Sequence, residues 1–504
     1  MDDIGARGVS AAKWGVISTV GRFALQLIAQ IVIARLLGPD IYGVFAMGLV
    51  VLTFSNFVAD FGFAWSLVQK PELREAHIRF AFTWQMIAGV LAAVVLYFGA
   101  SGIAGYFHDP RVQPIIEWLS LACVMNAAAA PPLSLLQRDM DFRRQGLIQL
   151  WGYGVGYLVI GIPLALLGAG VWTLVTAWLT QSFVIMVLAH RSRRLPNYRP
   201  LLWHVEATDI LKTSSTVFAT NLCNWLLNNM DRMIIGRLLS AAFLGLYTVG
   251  YNLATLPNSL LLSALQPAFL SAGARMNGDT GRLRKAYVEV LAAIVVMVTP
   301  AFALMACAAP YLIRVLYGVR WAQTGEILAI LFTAMPAFII WGMSTPVLWN
   351  TRRAHLETLL QLPIMAIAAA AYFLLAGQGV VSAAGVTAGV LALRGLTIAV
   401  AAFRALELRF AVVAPQFLRG GLLSLLAAAG TLGAAAGVAS LQLPLATLIT
   451  ALAGGIVLPV AAVLLWPSLL GLEAATMVGR FVPASVAQRF GRTRLMTFVM
   501  AATA

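Results

Sequence analysis

Long apolar segments alternate with short polar ones along most of the chain, from Lys13 to Trp466. Most of the apolar segments reach about 20 residues, the length that an α-helix needs to cross the hydrocarbon core of a bilayer. Membrane β-strands would instead give segments of about ten residues with alternating polarity. The pattern therefore predicts an all-α polytopic membrane protein with about 14 transmembrane helices. We place these helices near 14–37, 41–65, 80–105, 113–136, 146–168, 170–190, 210–238, 241–268, 287–315, 324–349, 355–377, 380–403, 417–439 and 443–466.

Glycine and proline mark both the breaks and the interiors of these helices. The breaks carry turn residues, as in Gly38-Pro39-Asp40. Gly433 and Gly437 form a GxxxG motif, a generic signal for helix packing in membranes. Several prolines lie inside apolar segments, and we expect them to bend their helices rather than end them, because neighbouring helices satisfy the freed carbonyl groups. These prolines are Pro163, Pro257, Pro300, Pro336, Pro363 and Pro459.

The composition agrees with a membrane protein and excludes a soluble one. The 504 residues are 61% hydrophobic and 11% charged, whereas soluble domains have about 45–50% apolar and about 25% charged residues. The three cysteines, Cys123, Cys223 and Cys307, lie in apolar segments without metal-ligand spacing. The sequence has no Walker A motif or dinucleotide-binding fingerprint, and the predicted outer loops are too short for a catalytic domain. We therefore expect no enzyme, no catalytic residues, no cofactor and no metal site.

Positive charge is distributed unevenly between the two predicted sides of the membrane. The formal net charge is +15, with 34 Lys and Arg residues. Most of these lie in alternate segments between the spans, starting with the segment before the first span. Because cytoplasmic segments carry an excess of Lys and Arg, this distribution predicts cytoplasmic N- and C-termini. No basic stripe with interleaved aromatic residues is present, so we expect no nucleic-acid partner. The expected location is the bacterial inner membrane. The alternate, predicted outer segments hold only Arg35, Arg111, Arg237, Arg314 and Arg320.

The two halves of the chain resemble each other. Residues 33–37 (IARLL) match residues 235–239 (IGRLL), and Gly43 matches Gly245 in the same alignment. Six predicted helices separate the copies, so both halves have the same orientation in the membrane, as in transporters built from parallel repeats. We predict four parts: a six-helix bundle over 1–200, a second over 201–405, two additional helices over 406–467, and a basic cytoplasmic tail on the membrane surface over 468–504.

The same alignment superimposes a polar stripe in the first helix on one in the seventh. Stripe members lie four residues apart and therefore share a helix face. Facing lipid would leave their polar groups unsatisfied. Hydrogen bonding between helices is one explanation, but it needs only one or two polar residues per helix. Two symmetric stripes favour a water-filled cleft between the halves. The members are Ser18, Arg22, Gln26 and Gln30 in the first helix and Thr220, Asn224, Asn228 and Arg232 in the seventh, with Asn56 in the second helix matching Asn258.

Several segments resemble the polysaccharide transporter (Wzx-type) flippases of the MATE/lipid-flippase superfamily. Residues 35–43 (RLLGPDIYG) resemble that family's first-hairpin signature, and residues 59–63 (ADFGF) and 137–144 (QRDMDFRR) resemble the segments that follow it. Residues 230–237 (MDRMIIGR) with residues 244–247 (LGLY) resemble its second-half signature. The resemblance covers roughly residues 10–350, whereas the last 150 residues or so match only in their general Ala/Leu-rich character.

The resemblance implies two six-helix bundles around a central cleft, with two further C-terminal helices. It also implies export of an undecaprenyl-diphosphate-linked oligosaccharide for polysaccharide biosynthesis, alongside membrane lipids and a polysaccharide polymerase or export complex as partners. A cation-coupled multidrug antiporter, a lipid II flippase and a non-transporting scaffold are the alternatives. The sequence leaves three energy sources for transport open: a proton gradient, a sodium gradient and the membrane potential.

Charged residues inside the predicted spans are the main candidates for function. Arg22 lies about 12 Å into its helix at 1.5 Å per residue, and its guanidinium suits a diphosphate. A structural ion pair with Asp60 is the alternative reading of Arg22. Asp60 and Asp231 are candidates for gating or coupling, and Arg394 is expected to reach the inner surface or contact lipid from the side. The remaining cleft candidates are Gln26, Gln30, Asn56, Asn224, Asn228 and Arg232.

Overall fold

The computed structural model describes residues 21–60, 67–68, 73–195, 198–203, 207–276, 279–438, 443–481 and 493–503. Side chains at 59–60, 207–221, 223, 480–481 and 503 also lie outside the described residues. Within these ranges every regular element is helical, as the apolar pattern predicts. The first helix, α1, is described over 21–37. The later helices are α2 Pro39–Asp60, α3 Glu75–Phe107, α4 Val112–Arg138, α5 Phe142–Leu166, α6 Trp172–Ser192, α7 Ala207–Leu238, α8 Ala241–Arg275, α9 Thr280–Leu316, α10 Ala322–Asn350, α11 His355–Leu375, α12 Val380–Ala405, α13 Phe410–Val438, α14 Pro444–Leu465, α15 Leu472–Phe481 and α16 Arg494–Thr503.

Twelve of the described helices are long and apolar enough to cross a membrane. Helices α1 and α7 are not among the twelve. The described part of α1 is short, and α7 carries many polar residues, including Asp209, Lys212 and Asp231. The all-α polytopic fold is therefore confirmed, whereas the number of fourteen spans stays a prediction.

The helices extend beyond the predicted apolar segments, mostly at the side predicted to be cytoplasmic. Helix α3 begins at Glu75 and α9 at Thr280, and α8 continues to Arg275. These additional turns are polar or charged on one side, so hydropathy alone does not include them. The interior prolines do not end their helices. Pro163 and Pro300 each follow a π-helical segment, Gly154–Gly161 and Ile294–Val298 respectively, in which the wider turn shifts the backbone hydrogen bonds.

Packing divides the chain into two compact units, Met1–Thr248 and Val249–Ala504. The first unit includes α7 and the first turns of α8. This division does not test the predicted repeat boundary near residue 200, which rests on sequence symmetry, so the four predicted parts stay a prediction.

Two matching glycines of the repeat meet inside the first unit. A Cβ on Gly43 in α2 would lie 1.6 Å from the carbonyl oxygen of Ala241, and one on Gly245 in α8 would lie 1.9 Å from that of Pro39. Backbone therefore packs directly on backbone where α2 and α8 begin, at the predicted outer side. Only glycine allows this approach.

The second unit packs its last helices in the same way. A Cβ on Gly430 in α13 would lie 2.2 Å from the carbonyl oxygen of Gly454 in α14, and one on Gly454 would lie 2.4 Å from that of Gly430. Ala474 and Ala475 of α15 are fully buried in a cluster with residues of α9, α13 and α16. Part of the predicted tail thus packs on protein, while residues 482–492, with Arg489 and Arg492, lie outside the described residues.

The predicted topology can be tested by cysteine labelling from either side of the membrane. We expect a cysteine at Arg193, after α6, to react only with reagent on the cytoplasmic side, because this segment is among the most basic. A cysteine at Ala169, between α5 and α6, should react only from outside. The unmodified protein measures the background from the native cysteines. Labelling at either position from the opposite side would contradict the orientation.

Candidate functional site

Arg22 of α1 is half-buried. Its guanidinium carbon lies 5.6 Å from the centre of the neighbouring Phe23 ring, a distance compatible with a cation–π contact. Among the residues that the structure describes, Arg22 forms no ion pair. The side chain of Asp60, its predicted alternative partner, lies outside the described residues, so the gating role of Asp60 stays a prediction. The role of Arg22 in binding a ligand stays a prediction.

The C-terminal half of the α1 stripe, Gln26 and Gln30, contacts tyrosines from two other helices. Tyr42 of α2 donates to the backbone carbonyl of Gln30, and Tyr153 of α5 donates to that of Gln26, each at 3.5 Å. Tyr153 stacks on Tyr157 with ring centres 4.4 Å apart. The Gln26 side chain is exposed, whereas the Gln30 amide nitrogen is buried without a hydrogen-bond partner among the described residues. A buried amide of this kind is suited to a water or a ligand oxygen.

The other described members of the two stripes are partly exposed. They are Asn56 in α2 and Asn224, Asn228 and Arg232 in α7. Arg232 donates to the side-chain oxygen of Asn229 at 3.0 Å. Helices α2 and α7 also meet through Phe54 and Trp225, whose ring centres are 4.9 Å apart. The polar side chains thus avoid complete burial, but a shared cleft between the stripes stays a prediction.

Asp231 occupies a different environment from the stripe beside it. Only 3% of its surface is exposed, and Tyr247 of α8 donates to its carboxylate at 2.5 Å. The second carboxylate oxygen is buried without a hydrogen-bond partner among the described residues. A buried carboxylate with one free oxygen can hold a proton or another small cation.

The predicted outer side of the first unit is held by polar contacts as well as by Gly43 and Gly245. Arg111 binds Asp40 of α2 at 2.5 Å and Asp109 at 2.8 Å. The hydrogen bond from Arg111 lowers the pKa of Asp109, despite some burial that acts in the opposite direction. Arg237 at the end of α7 donates to the carbonyl of Tyr106 at 2.8 Å and lies over its ring. These contacts join α2, α3, α4 and α7 at one end of the unit.

Arg394 differs from its sequence-based prediction. It does not reach an aqueous surface but is 2% exposed within the second unit. It donates to the Gln361 side chain at 2.8 Å, and its guanidinium carbon lies 3.8 Å from the Trp341 ring centre. Gln361 in turn donates to Glu357 at 3.4 Å, and Trp349 donates to the same carboxylate at 2.9 Å. The network links α10, α11 and α12 and is a structural feature of this bundle.

We expect Arg394→Met to reduce the amount of folded protein. Methionine keeps much of the side-chain volume but leaves Glu357 and Gln361 buried without their cation, and breaking a buried charged network typically costs about 3–5 kcal/mol. Arg404→Met, near the exposed end of the same helix, is the matched control and should be tolerated. Thermal unfolding of the detergent-solubilised proteins compares them. Equal unfolding temperatures for the two variants would contradict a structural role for Arg394.

Sequence reasoning missed the tyrosines and Glu357, although in each case a four-residue spacing was visible. Tyr153 and Tyr157 lie four residues apart and so share a helix face, a spacing that was visible in the sequence. Glu357 and Gln361 have the same spacing in α11. Within the described ranges, no group of three His, Cys, Asp or Glu side chains is arranged to hold a metal ion.

The chain is similar to several proteins of polysaccharide biosynthesis. It is 24% identical over 335 residues to the lipopolysaccharide biosynthesis protein WzxC of Escherichia coli (strain K12), covering 64% of this chain and 66% of that protein. It is 27% identical over 323 residues to the succinoglycan biosynthesis transport protein ExoT of Rhizobium meliloti (strain 1021), covering 63% and 64%. The chain thus matches just under two thirds of the length of these relatives.

Solved structures show the same fold at low sequence identity. The lipid II flippase MurJ, in an inward closed conformation, superimposes with a TM-score of 0.73 over 90% of this chain and 99% of that chain, at 11% identity. An inward-facing MATE family transporter of the MOP superfamily gives a TM-score of 0.60 over 77% and 94%, at 13% identity. The family described as "Polysaccharide biosynthesis protein" matches residues 32–326. Because this match covers more than half of the chain, the protein, a multi-pass membrane protein, belongs to that family.

Proposed function

We propose that the protein is a flippase for a polyprenyl-diphosphate-linked oligosaccharide. It would move the headgroup from the cytoplasmic to the outer leaflet of the inner membrane by alternating access, with both termini in the cytoplasm. Family membership and the fold shared with a lipid flippase support the class of function. The observation that carries the proposal in this chain is Arg22, a half-buried guanidinium in the first helix.

The chemistry of the described stripes fits such a headgroup. Arg22 offers a planar fork of donors that can bind two phosphate oxygens at once. Gln26, Asn56 and Asn228 are at least partly exposed amides that can donate to and accept from sugar hydroxyls. The prenyl chain needs no polar partner and would stay in lipid. This set of residues supports an arrangement in which the anionic phosphate lies close to Arg22 and the neutral amides surround the sugar.

Asp231 is the residue that we propose for coupling. Its carboxylate is buried beside Tyr247 in the same unit as Arg22. Protonation would remove a buried negative charge, so a change in its surroundings during transport would change its affinity for the proton. Coupling to sodium would use the same free oxygen. Coupling to the membrane potential alone would leave Asp231 without a role in energy transfer.

The deciding experiment is a flipping assay with purified protein in proteoliposomes. We expect transfer of a fluorescent undecaprenyl-diphosphate oligosaccharide across the bilayer at a rate well above that of protein-free vesicles. Lipid II is the second cargo to compare, since the fold is shared with MurJ, and a cationic dye is the third. Faster transfer of lipid II would favour that alternative cargo, and transport of the dye alone would reject a flippase.

Association with a polysaccharide polymerase or export complex is part of the proposal. Neither partner is needed for the flipping assay, so transfer by the purified protein tests the flippase separately from the complex. Co-purification from the native membrane tests the complex. If the protein purifies without partners, the proposed complex is rejected, and the proposed transport function is not affected.

A further inference from the structure

A cavity of about 650 Å³ lies in the second unit, where helices of that unit end or begin. Its wall includes the last turns of α8, the first turn of α9, the turn between α10 and α11, and the last residue of α12. By the predicted topology this is the cytoplasmic side, near the level of the lipid headgroups. The volume lies in the range of sites that hold small molecules or headgroups.

The cavity wall has an excess of positive charge. Arg352 and Arg353 line it from the turn between α10 and α11, and both are exposed. Neither arginine forms an ion pair within the described part of the chain. The acidic residue of the wall, Asp279, lies 3.4 Å from Arg282 and accepts the backbone N–H of that residue at 3.0 Å. Its charge is thus balanced by Arg282, and the two guanidinium groups are left to attract an anion.

The turn that carries the two arginines is fixed by backbone contacts. The N–H of Arg353 donates to the carbonyl of Leu348 at 2.7 Å, which closes the end of α10. Arg352 has a φ of 59°, in the left-handed region where glycine is the usual residue. An arginine is therefore present at a position whose backbone disfavours side chains.

The helices beside the turn are also closely packed. The side-chain nitrogen of Asn350 points to the carbonyl of Leu270 at 3.4 Å. A Cβ on Gly273 of α8 would lie 2.0 Å from that nitrogen. The cavity is thus bordered by a close contact between α8 and α10, and the arginines lie on a short turn rather than on a long loop.

We propose that this cavity binds the phosphate group of a lipid on the cytoplasmic side. Paired guanidinium groups bind phosphate oxygens through strong, charge-assisted hydrogen bonds, and the Thr280 hydroxyl on the wall can add another. Two lipids carry this chemistry: the diphosphate-linked cargo and an anionic phospholipid of the inner leaflet. In the first case, which rests on the proposed function, the cavity receives the cargo before transport. In the second, the lipid binds whether or not the protein is a flippase.

The test is binding of defined phosphates to the full-length protein in detergent. Native mass spectrometry measures retained phosphatidylglycerol and, in a separate titration, retained undecaprenyl diphosphate, with diacylglycerol as the phosphate-free comparison. We expect the double variant R352Q/R353Q to bind phosphatidylglycerol at least about tenfold more weakly, since a hydrogen bond to a charged group is worth a factor of this size. The double variant R191Q/R194Q is the control, because it removes two exposed arginines from the same predicted side of the first unit.

The outcomes separate the two lipid sources and the two proposals. Tighter binding of phosphatidylglycerol than of undecaprenyl diphosphate, weakened only in R352Q/R353Q, supports a phospholipid site. Tighter binding of undecaprenyl diphosphate than of phosphatidylglycerol, again weakened only in R352Q/R353Q, supports a site for the diphosphate of the cargo. Equal weakening in both double variants, or no change in either, overturns the cavity proposal. Because binding is measured without transport, these results do not depend on whether the protein flips its proposed cargo.

Discussion

Replacing Arg22 with alanine is expected to abolish export of the lipid-linked cargo while leaving the amount of folded protein in the membrane unchanged. The guanidinium is half-buried and, among the described residues, contacts the ring of Phe23. No buried network among the described residues includes Arg22, so we expect its removal to spare the fold while it removes the proposed partner of a diphosphate. Hydrogen bonds to charged groups are worth about 1.5–3 kcal/mol each, so losing a bidentate pair would reduce transport to background.

Arg22→Lys separates charge from geometry. Lysine keeps the positive charge but loses the planar fork, so we expect part of the activity to remain. Flipping is measured in proteoliposomes and divided by the amount of folded transporter. Arg394→Met provides the contrast, because it should reduce folded protein while the surviving fraction transports normally. Wild-type flipping per molecule in Arg22→Ala would reject the diphosphate contact.

The fold was predictable because membrane insertion constrains the sequence strongly. In lipid, backbone groups must be satisfied within each span, so apolar length alone identifies helices such as α12 and α14. Helix ends were less predictable, as at α3 and α9, because amphipathic turns outside the bilayer have no continuous apolar signal. Helix α7 is harder to identify from apolar length for a different reason. Its polar stripe, which includes Asn224 and Asn228, makes this predicted span less apolar than its neighbours.

Packing contacts were harder to predict than helices. The GxxxG motif of Gly433 and Gly437 suggested a contact, yet among the described residues no atom of another helix lies within 4 Å of a Cβ on either glycine. Instead α13 meets α14 through Gly430 and Gly454. Any of several small residues in an Ala- and Gly-rich helix can allow close approach, and which one does so depends on the crossing point of the partner helix.

The candidate site was predictable in its chemistry but not in its environment. The sequence repeat indicated a polar face around Arg22 and Asn228, whereas the burial of Asp231 against Tyr247 depends on a neighbouring helix. Arg394 illustrates the same point. Its distance from the helix end suggested a side chain that reaches the membrane surface, but partners on α10 and α11 hold it inside the bundle. Sequence position gives the depth of a charged residue, while its partners come from tertiary packing.

Replacing Gly43 with alanine is expected to weaken the packing of α2 against α8 and to slow transport. The new methyl group would lie 1.6 Å from the carbonyl oxygen of Ala241, so the two helices must separate at the predicted outer side. Overpacking of this kind typically costs about 1–3 kcal/mol. If this contact closes the outer side during alternating access, then its loss favours the open state and reduces net flipping. Thermal unfolding and flipping per folded molecule measure the two effects.

Gly245→Ala should act in the same way, and the double variant reveals whether the two glycines form one contact. A Cβ on Gly245 would lie 2.9 Å from the backbone nitrogen of Gly43, so the two residues are direct neighbours. Once the first alanine has separated the helices, the second should add little, and the double variant should unfold close to the worse single variant. Gly102→Ala in α3 is the matched control, because no atom of another helix in the described ranges lies within 4 Å of its Cβ and alanine favours a helix. Fully additive losses, or losses as large in Gly102→Ala, would show that the helix crossing at Gly43 and Gly245 is not what these substitutions disturb.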